Sequence, residues 1–108
     1  IMISTHILDT SIGNPAADVK VTLEILDNNK WTEVSSGKTN SDGRFVFENE
    51  SIPGKYRINF FTEEYFQNSN TEYFFLETPV AFNITNTKRK YHVPLLVNPF
   101  GYSTYRGS

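Results

Sequence analysis

Apolar and polar residues alternate along most of this chain. The pattern is clearest in residues 19–25, where apolar side chains occupy every second position and polar or charged side chains stand between them. A period of two is typical of a β-strand, because successive side chains point to opposite faces. Similar segments recur, and together they predict strands over residues 3–9, 19–25, 31–39, 44–47, 56–60, 80–84, 91–97 and 102–106.

Turn-forming residues separate the predicted strands. Clusters rich in Gly, Asn, Asp and Pro occupy residues 11–18, 27–29, 40–43 and 98–101. One short helix is predicted from Thr62 to about Asn70. The Thr62 hydroxyl can cap its first turn, and Glu63 and Glu64 place negative charge at the positive end of the helix dipole.

Eight short strands with turns at this spacing predict an all-β fold. We expect a β-sandwich of two antiparallel four-stranded sheets with one short helix. Residues 1–108 should form a single domain, because their length suits one hydrophobic core and the chain contains no linker and no repeat.

Charge and composition exclude several classes of function. Ten Lys and Arg against twelve Asp and Glu give a net charge of −2, and no basic patch indicates a nucleic-acid partner. No apolar run reaches the ~20 residues that span a membrane. The absence of Cys excludes disulfides, thiol nucleophiles and Cys-based zinc sites. We expect a cytoplasmic protein; a periplasmic one after signal cleavage stays open, as does the origin of Ile1 before Met2.

Both histidines fall on outward faces of predicted strands. In residues 91–97 the core-facing set alternates with His92, Pro94 and Leu96, and His6 occupies an outward position in the first strand. If the two strands lie in one sheet, both imidazoles share an apolar surface, to which Tyr105 also belongs. We expect a partner subunit to cover that surface.

The histidines allow several interpretations. They can be ordinary surface residues, or metal ligands, although the chain has no third His and no ligand-spacing motif. A serine hydrolase is disfavoured because no G-x-S-x-G elbow is present. General acid–base chemistry by imidazole remains, since its ordinary pKa of ~6.5 suits proton transfer near neutrality. We therefore expect neither a metal nor a cofactor.

Position alone leaves two further features undecided. Arg44 follows the turn at Asp42-Gly43, and its position by itself favours a solvated arginine at a strand edge over a site residue. Residues 105–108 read equally as a fraying terminus.

Distinctive motifs stand at both ends of the chain: THILDT in residues 5–10, YHVPLLVNP in residues 91–99 and YSTYRGS in residues 102–108. The first resembles the opening motif, and the other two the signature ending, of the 5-hydroxyisourate hydrolases of the transthyretin-related family. Transthyretin proper, the hormone carrier, shares the fold but lacks the terminal Tyr-Arg-Gly-Ser and both histidines. The middle of the chain also resembles generic prealbumin-like modules, so it indicates fold and not function.

The resemblance implies a transthyretin-like (prealbumin-like) fold and a cyclic amide hydrolase of urate degradation. The substrate would be 5-hydroxyisourate, opened at its N1–C6 bond to 2-oxo-4-hydroxy-4-carboxy-5-ureidoimidazoline. A homotetramer, a dimer of dimers, would hold the sites in a channel between the dimers. The implied site residues are His6, Arg44, His92 and the terminal Tyr105, Arg106, Gly107 and Ser108.

In the implied mechanism either histidine takes a proton from water, and Arg44 holds the electron-rich ring and stabilises negative charge. Tyr105 and the hydroxyl or carboxylate of Ser108 would complete the substrate-binding wall, and Arg106 would fix the tail across the subunit boundary. The alternative is a transthyretin-like small-ligand binding module, or an adhesive domain, without catalysis. Two titratable imidazoles beside an arginine favour an enzyme over a ligand-binding module.

Overall fold

The structure is a computed structural model, and it describes residues 2–49 and 52–108. In this part of the chain the elements are, in order, β1 (Ile3–Asp9), β2 (Asn14–Pro15), β3 (Lys20–Asp27), β4 (Lys30–Lys38), β5 (Arg44–Phe47), β6 (Gly54–Phe60), α1 (Thr62–Asn68), β7 (Thr78–Ile84), β8 (Tyr91–Asn98) and β9 (Gly101–Thr104). All eight predicted strands are present, each with its ends within two residues of the predicted ones.

The strands form two sheets. The first has the order β2-β1-β8-β9. Its fifth strand, β5, pairs with the first half of β1, on the same edge where β2 pairs with the end of β1. The second has the order β4-β3-β6-β7. The two sheets pack over one core of buried apolar residues from both, so the predicted all-β sandwich with one short helix is confirmed.

Two details of the predicted sheets are wrong. The first sheet has five strands instead of four, because residues 14–15 make a two-residue pairing with β1 that is too short to show any alternation. The first sheet is also not purely antiparallel, since β1 and β8 run parallel along the whole of β1. Strands this far apart in sequence need no hairpin between them, so local turn patterns carry no information about their direction.

The ends of two elements also differ from prediction. The helix ends at Asn68, and Thr62 does not cap it: Phe61 occupies the cap position, while the buried Thr62 hydroxyl lies 3.4 Å from that of Thr78. The last strand ends at Thr104 and not at residue 106, because the chain then leaves the edge of β9 and crosses towards β8.

Alternation on β1 and β8 separates core from outer face. Buried Ile3, Ile7 and Leu95 point into the sandwich, and the hydroxyl of buried Thr5 donates a hydrogen bond of 2.7 Å to the carbonyl of Val93. The outer face is less exposed than predicted. Pro94 is buried and Leu96 half-buried within a single chain, because β8 is flanked by β1 and β9. In the described residues no helix is both long enough and apolar enough to span a membrane.

Candidate active site

Strand β1 collects four polar side chains on the outer face of the first sheet. Along one edge of β1, His6 is the direct partner of Arg44 in antiparallel β5. Along the other edge, Ser4 is the direct partner of His92 in parallel β8. Residues paired across a sheet project to the same side, and Ser4 and His6 are two positions apart on one strand. The three predicted catalytic side chains, from three adjacent strands, therefore share one face.

An open cleft of about 390 Å³ lies at this face. Its lining residues are Met2, Ser4, Thr5, Arg44, Phe45, Val46, Lys90, His92 and Ser108. The cleft thus contains two of the predicted catalytic residues together with the terminal serine. His6 is not part of its lining, although it stands beside Arg44 on the neighbouring strand.

The electrostatics of the cleft are basic. Arg44 and Lys90 are both exposed there, and no Asp or Glu side chain contributes to the described lining. Such a surface attracts an anionic or electron-rich ligand. In residues 2–49 and 52–108 no group of three or more His, Cys, Asp or Glu side chains is arranged to hold a metal ion.

His92 is held in an environment that favours its neutral form. Its ring is half-buried, and the hydroxyl Oγ of Ser4 lies 2.8 Å from Nδ1, within hydrogen-bonding distance. Burial lowers the pKa of His92 below its ordinary value of 6.5, and the electrostatic interactions with Arg44 and His6 lower it further, while a hydrogen bond with the backbone of Ser4 acts in the opposite direction. A neutral imidazole is the form that can accept a proton.

The C-terminal tail passes directly over His92. The backbone N–H of Gly107 donates a hydrogen bond of 2.8 Å to the carbonyl of His92, which makes an isolated antiparallel bridge. Gly107 is buried, and a Cβ at its position would lie 2.6 Å from His92 Cδ2. The tail is therefore anchored at Gly107, and only glycine fits there. The interpretation of residues 105–108 as a fraying terminus is wrong.

The predicted substrate-binding residues of the tail do not share one cavity. Ser108 lines the cleft with Arg44, whereas Tyr105 and Arg106 line a second cavity of about 370 Å³ that also touches His92. Tyr105 remains 59% exposed. The division arises because the tail crosses the His92 ring at Gly107, so the residues before and after this crossing open into different cavities.

Comparison with known proteins places this chain in a family. The model described as "HIUase/Transthyretin family" matches residues 3–107. The chain belongs to this family. A 5-hydroxyisourate hydrolase of Salmonella dublin is 46% identical over 110 residues, which cover 99% of this chain and 81% of the relative.

Two solved structures of the family resemble the chain closely. The 5-hydroxyisourate hydrolase of Klebsiella pneumoniae superposes with a TM-score of 0.88 at 34% identity and covers 100% of both chains. Sea bream transthyretin in complex with thyroxine superposes with a TM-score of 0.91 at 27% identity, covering 97% of this chain and 93% of that one. The backbone fold does not separate hydrolases from transthyretins within the family, so the residues of the site must distinguish them.

Sequence reasoning did not assign Ser4 and Lys90 to the site, although both line the cleft. Lys90 precedes β8, in a stretch that reads only as a polar turn. Ser4 lies two positions before His6 on β1, and this shared parity was the available signal for it. Its partner could not be found from the pattern, because the pairing of Ser4 with His92 joins residues 88 positions apart.

Proposed function

We propose that this protein hydrolyses 5-hydroxyisourate to 2-oxo-4-hydroxy-4-carboxy-5-ureidoimidazoline, a step of urate degradation. The observation that carries the proposal is the cleft that His92 lines together with the guanidinium of Arg44 and with Ser108. The lowered pKa of His92 favours its neutral imidazole. The proposal is supported by relatives named 5-hydroxyisourate hydrolase in Salmonella dublin and in Mus musculus, the latter 39% identical and matched over 98% of this chain.

The reaction requires a base, an oxyanion partner and an acid. Water adds to the C6 carbonyl while one of its protons passes to an imidazole. The C6–N1 bond then breaks, the same proton passes to N1, and C6 becomes a carboxyl group. Nothing is oxidised or reduced, and two imidazoles and a guanidinium can supply all three roles.

We assign the base to His92, because it lines the cleft and its lowered pKa keeps it neutral near pH 7. Arg44 stabilises the negative charge that develops on the C6 oxygen, and its fork of N–H donors also suits the carbonyl-rich ring. His6, beside Arg44 on β1, provides the second imidazole. Ser108 completes the cleft wall by hydrogen bonding. Tyr105 and Arg106 line the neighbouring cavity.

We further propose a cytoplasmic homotetramer, a dimer of dimers with the active sites at the interface between dimers. Such an assembly needs two different self-complementary surfaces on each chain. One candidate is the outer face around the open cleft. The other is an exposed apolar patch in which Phe75 stacks edge-on with Phe74 and Tyr102, at ring distances of 4.9 and 5.5 Å. Leu76, next to Phe75 in sequence, and Phe100 are exposed as well.

The decisive experiment for the activity generates 5-hydroxyisourate in place from urate with urate oxidase. The ultraviolet decay of the intermediate is then followed with and without the protein. We expect strong acceleration that scales with protein concentration. A decay rate equal to the spontaneous one would refute the hydrolase proposal. Light scattering at micromolar concentration tests the assembly separately, and a monomer would refute it.

Carriage of a small ligand is the second candidate, and the observation that favours it is the TM-score of 0.91 with transthyretin in complex with thyroxine. Under this proposal the protein would bind a planar aromatic ligand in a saturable manner and leave 5-hydroxyisourate to decay at its spontaneous rate. The basic, titratable lining of the cleft favours hydrolysis.

A further inference from the structure

Ser4 and His92 form a side-chain hydrogen bond between two strands that are remote in sequence. Ser4 Oγ and His92 Nδ1 are 2.8 Å apart, and both side chains are half-buried. The two residues are direct partners in the parallel pairing of β1 with β8. The contact is therefore set by the sheet itself and does not depend on a loop.

The register that brings them together is fixed on both sides of the contact. One position before, the N–H of Tyr91 donates to the carbonyl of Met2 at 2.8 Å. One position after, the buried Thr5 hydroxyl donates to the carbonyl of Val93 at 2.7 Å. A slip of β1 along β8 would break these bonds, so Ser4 is held opposite the imidazole.

The tail restricts the same ring from another side. Gly107 is hydrogen-bonded to the His92 backbone and lies against the Cδ2 edge of the ring. With Nδ1 engaged by Ser4 and the Cδ2 edge covered, the ring has little freedom to turn. The Ser4 hydroxyl engages Nδ1 and not Nε2, so this contact leaves Nε2 available to a ligand.

We propose that Ser4 is a positioning residue that accepts a hydrogen bond from Nδ1–H of His92 and so keeps the lone pair of the imidazole on Nε2. This inference rests on the proposed function, since it concerns the working nitrogen of the proposed base. With the opposite arrangement, Ser4 donating to Nδ1, Nε2 would carry the proton and could not take one from water.

The acceptor role of the Ser4 hydroxyl rests on its 2.8 Å contact with Nδ1, and the Ser4 backbone acts on the same ring as a second acceptor. A hydrogen bond of His92 with the Ser4 backbone, a contact separate from the hydroxyl, acts to raise the pKa of the imidazole. An acceptor facing a ring N–H has this effect, because it stabilises the charged form in which both nitrogens are donors. The same logic applies wherever a second group orients a histidine and fixes its tautomer.

The tautomer can be read directly from the ¹⁵N chemical shifts of the His92 ring by nuclear magnetic resonance. The chain has only two histidines, so a His6→Gln variant assigns the signals. In the wild type we expect a protonated Nδ1 and an unprotonated Nε2. In Ser4→Ala the shifts should move towards a mixture of tautomers, and Ser4→Thr, which keeps the hydroxyl, should restore the wild-type pattern.

Turnover provides the second measurement. Ser4→Ala should lower kcat on the order of 10-fold with little change in KM, because the side chain orients the base and does not hold the substrate. Ser4→Thr should recover most of the loss. The matched control is Ser103→Ala, which removes the same hydroxyl from an exposed position on β9 of the same sheet, outside both cavities.

The outcomes separate this inference from the proposed function. A wild-type ring protonated at Nε2, or a Ser4→Ala variant with unchanged tautomer or unchanged kcat, overturns the role of Ser4. A wild-type protein that does not accelerate 5-hydroxyisourate decay overturns the hydrolase proposal, and the ¹⁵N shifts still decide whether Ser4 sets the tautomer. Unchanged thermal melting of Ser4→Ala would show that the loss does not come from unfolding.

Discussion

Gly107 donates its backbone N–H to the carbonyl of His92, and its α-carbon approaches the imidazole so closely that one added carbon would lie 2.6 Å from Cδ2. This contact joins the C-terminal tail to the proposed catalytic base. The tail cannot move away from the His92 ring without breaking the backbone bridge between Gly107 and β8. The orientation of the His92 ring and the path of the tail are therefore mutually dependent.

Replacing Gly107 by Ala should damage turnover without unfolding the protein. The new methyl group would force the His92 ring or the tail to shift, and a displacement of about 1 Å at a reacting group can cost on the order of 10²-fold in rate. The control is Gly101→Ala, because a Cβ there meets nothing closer than the Asn98 side chain at 3.8 Å. Equal kcat values for the two variants in the urate oxidase-coupled assay would contradict the proposed coupling of tail and ring.

Deleting residues 107–108 should leave folding and assembly nearly intact, since neither residue contributes to the apolar core. Turnover should fall on the order of 10²-fold, because the deletion removes Ser108 from the cleft and the backbone bridge to His92. Thermal melting and light scattering check the fold, and the coupled assay checks the rate. Near-wild-type turnover would show that residues 107–108 do not contribute to catalysis.

The lowered pKa of His92 predicts a pH dependence with a defined sign. The neutral base is present above that pKa, so kcat/KM should fall as pH drops through a value below 6.5. Stability should follow the same direction. The unfolded chain binds the proton more tightly than the folded one, so folding becomes less favourable as pH falls below 6.5, until the folded His92 is itself protonated. A limb of the profile well above 6.5 would argue against His92 as the base.

Arg44→Gln should raise the pKa of His92 towards its ordinary value, because Arg44 contributes positive charge that disfavours the imidazolium. Titration of the ring by nuclear magnetic resonance measures this directly and does not require activity. Lys55→Gln is a suitable control, since it removes a positive charge from an exposed position on β6 in the other sheet. A His92 titration that is the same in both variants would contradict the electrostatic coupling.

Arg44→Lys separates charge from geometry at the same position. The charge is retained, so the pKa of His92 should stay low. The planar fork of the guanidinium is lost, and kcat/KM should fall on the order of 10-fold or more. Wild-type kcat/KM in this variant would show that Arg44 acts only as a point charge.

Because imidazole and guanidinium supply every proposed role, treatment with a chelator should leave the rate unchanged. The coupled assay measures this after dialysis against the chelator, with the urate oxidase supply step checked separately. Loss of activity that zinc restores would refute the metal-free mechanism.

Much of the fold was accessible from the sequence because alternation is a local property. The direction of each side chain relative to its neighbours follows from the pleat, so β1 was predicted at residues 3–9 as observed, and His6 and His92 were assigned to outer faces. The resemblance of residues 105–108 to the family's terminal tetrapeptide likewise predicted that the tail belongs to the site. That the tail matters through Gly107 was not predicted, since a missing side chain leaves no pattern.

Tertiary structure alone decided which strands meet and in which direction. The parallel pairing of β1 with β8 sets Ser4 against His92, and the pairing of β1 with β5 sets His6 beside Arg44. These neighbours arise from backbone hydrogen bonds between segments far apart in the chain, whose register depends on burying both core faces at once. No local period encodes that condition. For the same reason, the sequence did not show that Tyr105 and Ser108 line different cavities. That division follows from the path of the tail across the imidazole.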